Sequence, residues 1–277
     1  MKLHFNYNAT YSFLKLAFFA STILLAKGSS AQSLSAGFDW PEGKRVAVSL
    51  TFDDARASQV EVGTAFLDEY GVKATFFVVP ALVEQRLDGW KDAVANGHEI
   101  GNHTLTHPCS GNYPWARQKA LEDYTLEQMR KELEEGNKEI EKLLGVKPTV
   151  FAYPCGQTYV GRGLNTKSYV PLVAELFVLG RSYRDKIPND PTFCDFAQLT
   201  GIDMDGMEIE EILSLLERGK ANNQWIVLGG HEMGESGIQT TRLSMLKKLM
   251  EYAADPANGI WLAPVGVVSN YIADKRK

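Results

Sequence analysis

The sequence predicts an α/β fold built on a parallel sheet, and three observations predict it. Short β-branched or aromatic runs alternate with longer stretches of helical period from about residue 40 onward. Several of those runs are apolar on both faces, as strands covered by helices on both sides are. No repeat, low-complexity tract or Ser/Pro linker interrupts the alternation, so one domain is the simplest organisation. Sustained over more than 200 residues, this rhythm means either a barrel or a doubly wound sheet.

The first segment differs in kind. Lys2 and Lys15 precede the apolar run "LAFFASTILLA" (Leu16 to Ala26), and small residues follow, with Ser29 and Ala31 at signal-peptidase spacing. A run of about 11 residues is too short to span a bilayer comfortably. Residues 1–31 therefore read as a signal peptide and 32–277 as the mature domain, secreted or periplasmic, with no membrane span.

Strands are expected at "RVAVSLTF" (Arg45 to Phe52), "KATFFVV" (Lys73 to Val79), "HEIGNH" (His98 to His103), "PTVFAY" (Pro148 to Tyr153), "LFVLG" (Leu176 to Gly180), "AQLTGID" (Ala197 to Asp203) and "WIVLGGH" (Trp225 to His231). Between them, "ASQVEVGTAFLDEYG", "TLEQMRKELEEGNKEIEKLLG", "MEIEEILSLLERGK" and "QTTRLSMLKKLMEYAAD" carry apolar residues at helical spacing. The second ends at Gly145 with Pro148 beyond it, a helix stop. Its mixed-sign run "KELEEGNKEIEK" reads as a solvated face.

Charge and cysteine content narrow the function classes. Removing the leader's three Lys takes the formal charge from −5 to −8, 26 basic against 34 acidic residues, which argues against nucleic acid as a partner. Cys109, Cys155 and Cys194 allow at most one disulfide and one free thiol, and all three pairings stay open.

In parallel α/β folds functional groups gather at the carboxyl ends of the strands. Here "TFDD" (Thr51 to Asp54), His103 with His107, "FAYPCG" (Phe151 to Gly156) and "GGHE" (Gly229 to Glu232) occupy those ends. Four residues of continuous strand advance about 13 Å, too far for two imidazoles to share an ion held at about 2.1 Å. If both histidines are ligands, the chain must coil back after His103. One aspartate of "TFDD" would complete a His2Asp site with open positions, a catalytic pattern. The neighbouring aspartate, on the opposite side of the strand, would serve as a base, and His231 as a proton donor.

At these residues the sequence resembles the NodB-homology polysaccharide deacetylases, carbohydrate esterase family 4, from about Arg45 to Ile272. "TFDD" matches the family's first motif, "HTLTH" its second and "VLGGHE" its fifth. The resemblance implies a distorted (β/α) barrel, with Asp53 as catalytic base, Asp54, His103 and His107 as ligands of one divalent metal, and His231 as general acid. Zinc suits the ligand types, with cobalt, nickel or manganese as alternatives. It also implies an acetylated carbohydrate as substrate, an N-acetyl hexosamine glycan or O-acetyl xylan.

Two departures bear on the site. The third motif commonly reads R-x-P-Y, whereas "FAYPCG" has Ala152 at the Arg position and Cys155 at the Tyr position. The Cys155 backbone N–H can still hold an oxyanion. The orienting guanidinium is missing, and Arg181 or Arg184 of "GRSYRD" is the candidate replacement. The Asp-rich fourth motif is echoed by "GIDMDG", with Asp203 or Asp205 and no Trp. Tyr113, Trp115 and Tyr153 are the candidate substrate contacts. A binding protein without turnover and a small-amide hydrolase are the alternative functions.

Overall fold

Along the first strand, Val46–Asp53, side chains divide by parity, and that division organises the fold in the computed structural model, which describes residues 38–277. Val46, Val48, Leu50 and Phe52 pack outward against helices, with Leu67, Trp90, Ile140, Leu216 and Leu246 among their cluster. Ala47 faces the opposite way, into a cluster with Phe77, Val150, Leu179, Trp225 and Val227. A strand alternates its side chains, so Ser49, Thr51 and Asp53 share Ala47's interior face. Burying one such apolar side chain contributes roughly 1.5–3 kcal/mol, and both layers are built this way. The expected signal segment, residues 1–31, lies outside the described residues.

Eight strands form one parallel sheet. In spatial order they are Leu179–Arg181, Val150–Ala152, Glu99–Asn102, Thr75–Val78, Val46–Asp53, Trp225–Gly230 and Ile202–Asp203. The remaining strand, Ile260–Leu262, pairs with Val46–Val48, below the point where Thr75–Val78 takes over at Thr51. Leu199 bridges to Arg181 at one edge, and Ile202–Asp203 pairs with Leu228–Gly229 at the other. The sheet thereby curls into the distorted (β/α) barrel that the resemblance implies. At the amino ends of the strands, the helix Val265–Lys275 closes the interior with Val265, Val268 and Ile272, beside Trp40. Its first N–H groups donate to Thr75 and Glu99, the opening residues of their strands.

The long helix Leu126–Leu144 follows its sequence signals. Thr125 and Gln128 form a capping box at its start, and Gly145 ends it at φ 71°. Gly136 sits in its interior, where glycine costs about 1 kcal/mol relative to alanine. A Cβ there would meet the Asn102 amide at 2.9 Å and the Leu105 N–H at 3.2 Å, so its absence lets the loop after the third strand lie on the helix.

Several expected boundaries shift. The strand expected at Leu176–Gly180 is Leu179–Arg181, because Val170–Leu176 is a helix. The run Ala197–Asp203 opens with a turn, Phe196–Gln198, and is extended as a paired strand over Ile202–Asp203. The helices Leu87–Ala95 and Val265–Lys275 and the strand Ile260–Leu262 were not anticipated. The mixed-charge helix face is solvated except at Glu132, which is buried.

Candidate active site

The turn that the paired histidines require is present. His103 leaves the strand Glu99–Asn102 on the barrel side, Thr104 takes φ 66°, and His107 takes φ 56°. Asn102 accepts the Thr104 N–H at 2.6 Å, and Thr104 Oγ1 accepts the His107 N–H at 2.9 Å. These bonds fold the chain back and bring the imidazole centroids to 4.7 Å. Glu132 secures the loop from the helix: one carboxylate oxygen accepts the Thr106 N–H and the other its hydroxyl, both at 2.9 Å.

Asp54 meets both rings. Its Oδ1 lies 3.3 Å from His107 Nε2 and 3.5 Å from His103 Nε2. One ligand atom from each of the three residues falls within 4.8 Å of the others. His103 Nδ1 donates to the Ala152 carbonyl at 2.8 Å, which fixes the ring with Nε2 turned toward Asp54. Burial first, and then the neighbouring His103, pulls His107 down to about 4, which leaves its ring neutral. Burial pushes the Asp54 carboxyl up, but His103, His107, His231 and Arg56 hold it below its ordinary value. Two imidazoles and a carboxylate with their nitrogen and oxygen atoms converging fit a divalent ion of the zinc class. A second grouping, His107 with Cys109 and Cys155, does not fit, because the two sulfurs are joined in a disulfide.

Asp53 points to the interior, as its parity demands, and ion-pairs through Oδ1 with Arg181 Nη2. Both side chains are buried, and the guanidinium also lies 5.0 Å from the Phe77 ring centroid. Desolvation pushes the Asp53 carboxyl up, yet Arg181 and then His103 and His231 outweigh it and hold it below the ordinary carboxylate value. Arg181 therefore supplies the guanidinium that Ala152 cannot. Arg184, 61% exposed and 3.4 Å from Asp203, does not reach Asp53.

His231 follows the strand Trp225–Gly230 and shares the interior parity of Trp225 and Val227. Its Nδ1 lies 2.7 Å from Asp205 Oδ2, and the second oxygen of Asp205 accepts the Thr241 hydroxyl at 2.7 Å and the His231 N–H at 3.2 Å. Burial lowers His231, but Asp205, followed by Asp53 and Asp54, more than restores it, so the ring is held above its ordinary value. Of the two aspartates in "GIDMDG", Asp205 partners the histidine, and Asp203 accepts the Tyr183 hydroxyl at 2.6 Å.

Asp53, Asp54, His103, His107, Cys155 and His231 line one cavity of about 840 Å³. Asp54 and Ala55 take φ 77° and 60°, so the chain turns sharply past Asp53, and both carboxylates reach this cavity with different partners. A disulfide joins Cys109 to Cys155, Cα atoms 6.1 Å apart, and ties the loop after the histidines to the loop after Val150–Ala152; Cys194 is free. Trp115, 57% exposed, stacks on Tyr113 at 5.5 Å and lies 5.9 Å from His107, forming one cavity wall. Tyr153 is a correction to the expected substrate contacts: it is fully buried in the core, and its hydroxyl donates to the Ala197 carbonyl at 2.7 Å.

Three contributors escaped sequence reasoning. Gln59 is buried in a π-turn, Gln59–Gly63, and its amide donates to the carbonyls of Asp53 and His231 at 2.7 and 2.8 Å, tying two strand ends together. Tyr183 packs edge-on against His231 at 5.2 Å. Glu132, which holds the Thr106 loop, is the third. The position of Gln59 six residues beyond Asp53, in an otherwise amphipathic stretch, offered no signal of its own.

Residues 41–167 match the polysaccharide deacetylase family. Gellan lyase from Bacillus sp is 30% identical over 119 residues, 42% of this chain and 4% of that protein. Chitin deacetylase 1 from Cryptococcus neoformans is 33% identical over 107 residues, 39% of this chain and 20% of that protein. The matched part thus spans a fifth or less of either relative. Among solved structures, a chain from Mycobacterium smegmatis superposes with TM-score 0.61 at 18% identity, covering 87% of this chain and 95% of that one. A family 4 acetyl xylan esterase from Clostridium thermocellum, in complex with a cobalt ion, gives TM-score 0.53 at 19% identity over 81% of this chain and 91% of that one. These structural likenesses establish the fold.

Proposed function

We propose that this chain, whose residues 41–167 match the polysaccharide deacetylase family, is a metal-dependent hydrolase that removes acetyl groups from a carbohydrate. The observation that carries the reading is the convergence on one cavity of a His2Asp donor set, an arginine-held carboxylate and an aspartate-held imidazole.

Asp54, His103 and His107 are the residues to hold the ion. Zinc is the first choice by donor type, and when bound it supplies Lewis acidity toward the acyl oxygen and toward water. Asp53 accepts the proton of the attacking water, and Arg181 keeps its carboxylate ionised and fixed in direction. The Cys155 N–H, on a loop held by the disulfide, donates to the oxygen that gains negative charge. His231, whose protonated form Asp205 favours, donates its Nε2 proton to the leaving amine or alcohol.

An acetylated hexosamine glycan, chitin-like or from peptidoglycan, is the proposed substrate; the matched relative named chitin deacetylase 1 supports it. Acetyl xylan is the competitor, on the strength of the acetyl xylan esterase neighbour. Trp115 and Tyr113 form the platform proposed for a sugar ring. The ion pair of Arg181 with Asp53 favours the enzymatic reading over binding without turnover. Export remains part of the proposal: the leader pattern supports it, as does the Cys109–Cys155 disulfide. Among the described residues, no helix is long and apolar enough to cross a membrane.

The test is an acetate-release screen over acetylated chitooligosaccharides, peptidoglycan and acetyl xylan, with and without chelator. Chelator-sensitive release from one of them supports the proposal. Binding to these glycans with no acetate released, metal present, would replace it with the binding reading.

A further inference from the structure

We propose that Arg56 is a positioning residue that confines Asp54 to one-oxygen ligation of the metal, an inference that rests on the ligand reading above. A guanidinium facing a carboxylate commonly takes both oxygens in a two-pronged pair. Here both prongs converge on a single oxygen: Nε lies 3.0 Å and Nη2 2.9 Å from Asp54 Oδ2. The other oxygen, Oδ1, is the one that faces His103 and His107.

Arg56 is itself held from behind. Its Nη1 is 3.8 Å from Glu232 Oε1, and the second oxygen of Glu232 accepts the Ser58 hydroxyl, which in turn accepts the Met233 N–H at 2.9 Å. The guanidinium thus spans the loop after the first strand and the short strand Glu232–Gly234 that follows His231. "TFDD" ends at Asp54, so the motif that identifies the ligand says nothing of the residue that aims it.

Two consequences follow from elementary electrostatics. With Oδ2 engaged, Asp54 offers one donor atom, and a coordination position stays open for water and substrate. The fixed positive charge also drains density from the carboxylate and opposes a cation, so affinity is lower than the same three ligands would give without it.

The test compares the wild-type protein with Arg56→Gln and Arg56→Lys, each loaded with Co2+, by chelator competition and by visible absorption. Arg56→Gln is expected to bind Co2+ about tenfold more tightly or better, with weaker visible bands as the freed oxygen raises the coordination number. Arg56→Lys keeps the charge and is expected within about threefold of wild type. Unchanged or weaker affinity in Arg56→Gln, with an unaltered spectrum, overturns the inference and leaves the ligand set standing. A metal-loaded wild-type structure with both Asp54 oxygens on the ion overturns it without any variant. Failure of the wild-type protein to bind Co2+ at all would remove the ligand reading itself.

Discussion

Arg181 and Asp53 stand 128 residues apart in the chain and form an ion pair at the head of the barrel, with both side chains buried. Removing one partner of such a pair leaves an uncompensated charge in the interior. Arg181→Gln is therefore expected to destabilise the fold by about 3 kcal/mol and to lower kcat by roughly 10–100-fold. Denaturant titration and steady-state acetate release check the two effects. Arg184→Ala, at an exposed site, should leave stability within about 0.5 kcal/mol.

The His231–Asp205 pair fixes the expected pH dependence. Asp205 raises the histidine above its ordinary value, so the proton donor persists to higher pH than a free imidazole would and is lost as pH rises through that raised value. Asp205→Asn takes away the partner, and the alkaline limb of kcat should move to lower pH. A profile whose alkaline limb does not move in this variant would detach His231 from the proton-donor role.

Glu132 anchors the loop between the two histidines through the Thr106 N–H and hydroxyl. Glu132→Gln keeps the size but weakens the acceptor. Metal affinity is expected to fall roughly 10–100-fold, with little change in the far-UV circular dichroism, as for other groups that orient a ligand from outside. Competition with a chelating dye measures it.

The disulfide closes a separation of 46 residues between Cys109 and Cys155. A loop of that length is worth about 4 kcal/mol on the chain-entropy account. The double variant Cys109→Ala with Cys155→Ala should lose stability of that order in denaturant. It should also lose kcat more than KM, because the loop that carries the Cys155 N–H is no longer tethered beside the cavity.

Much of this site was legible in the chain. "TFDD", "HTLTH" and "GGHE" pointed to the residues that converge on the cavity as candidate metal ligands, base and acid, and a distance argument required the backbone to turn after His103, as Thr104 and His107 do. Arg181 stayed ambiguous because the strand was expected to end at Gly180. Extended by one residue, it gives Arg181 the same interior parity as Leu179. Tyr153 was misjudged for the complementary reason: it follows a strand whose neighbouring loop reaches the cavity, but its ring turns back into the core beside Phe151. Glu132 could not be singled out, since a buried carboxylate in a mixed-charge helix looks like its solvated neighbours until the loop that it holds is in place. Gln59 acts through a π-turn, which shifts the helical register that periodicity assumes.

The central claim is that Asp54, His103 and His107 together hold one divalent ion, and elemental analysis of the purified wild-type protein beside His103→Ala tests it most directly. The account predicts one ion per wild-type chain and almost none in the variant. Equal metal content in the two proteins, or none in either after incubation with Zn2+, would contradict it.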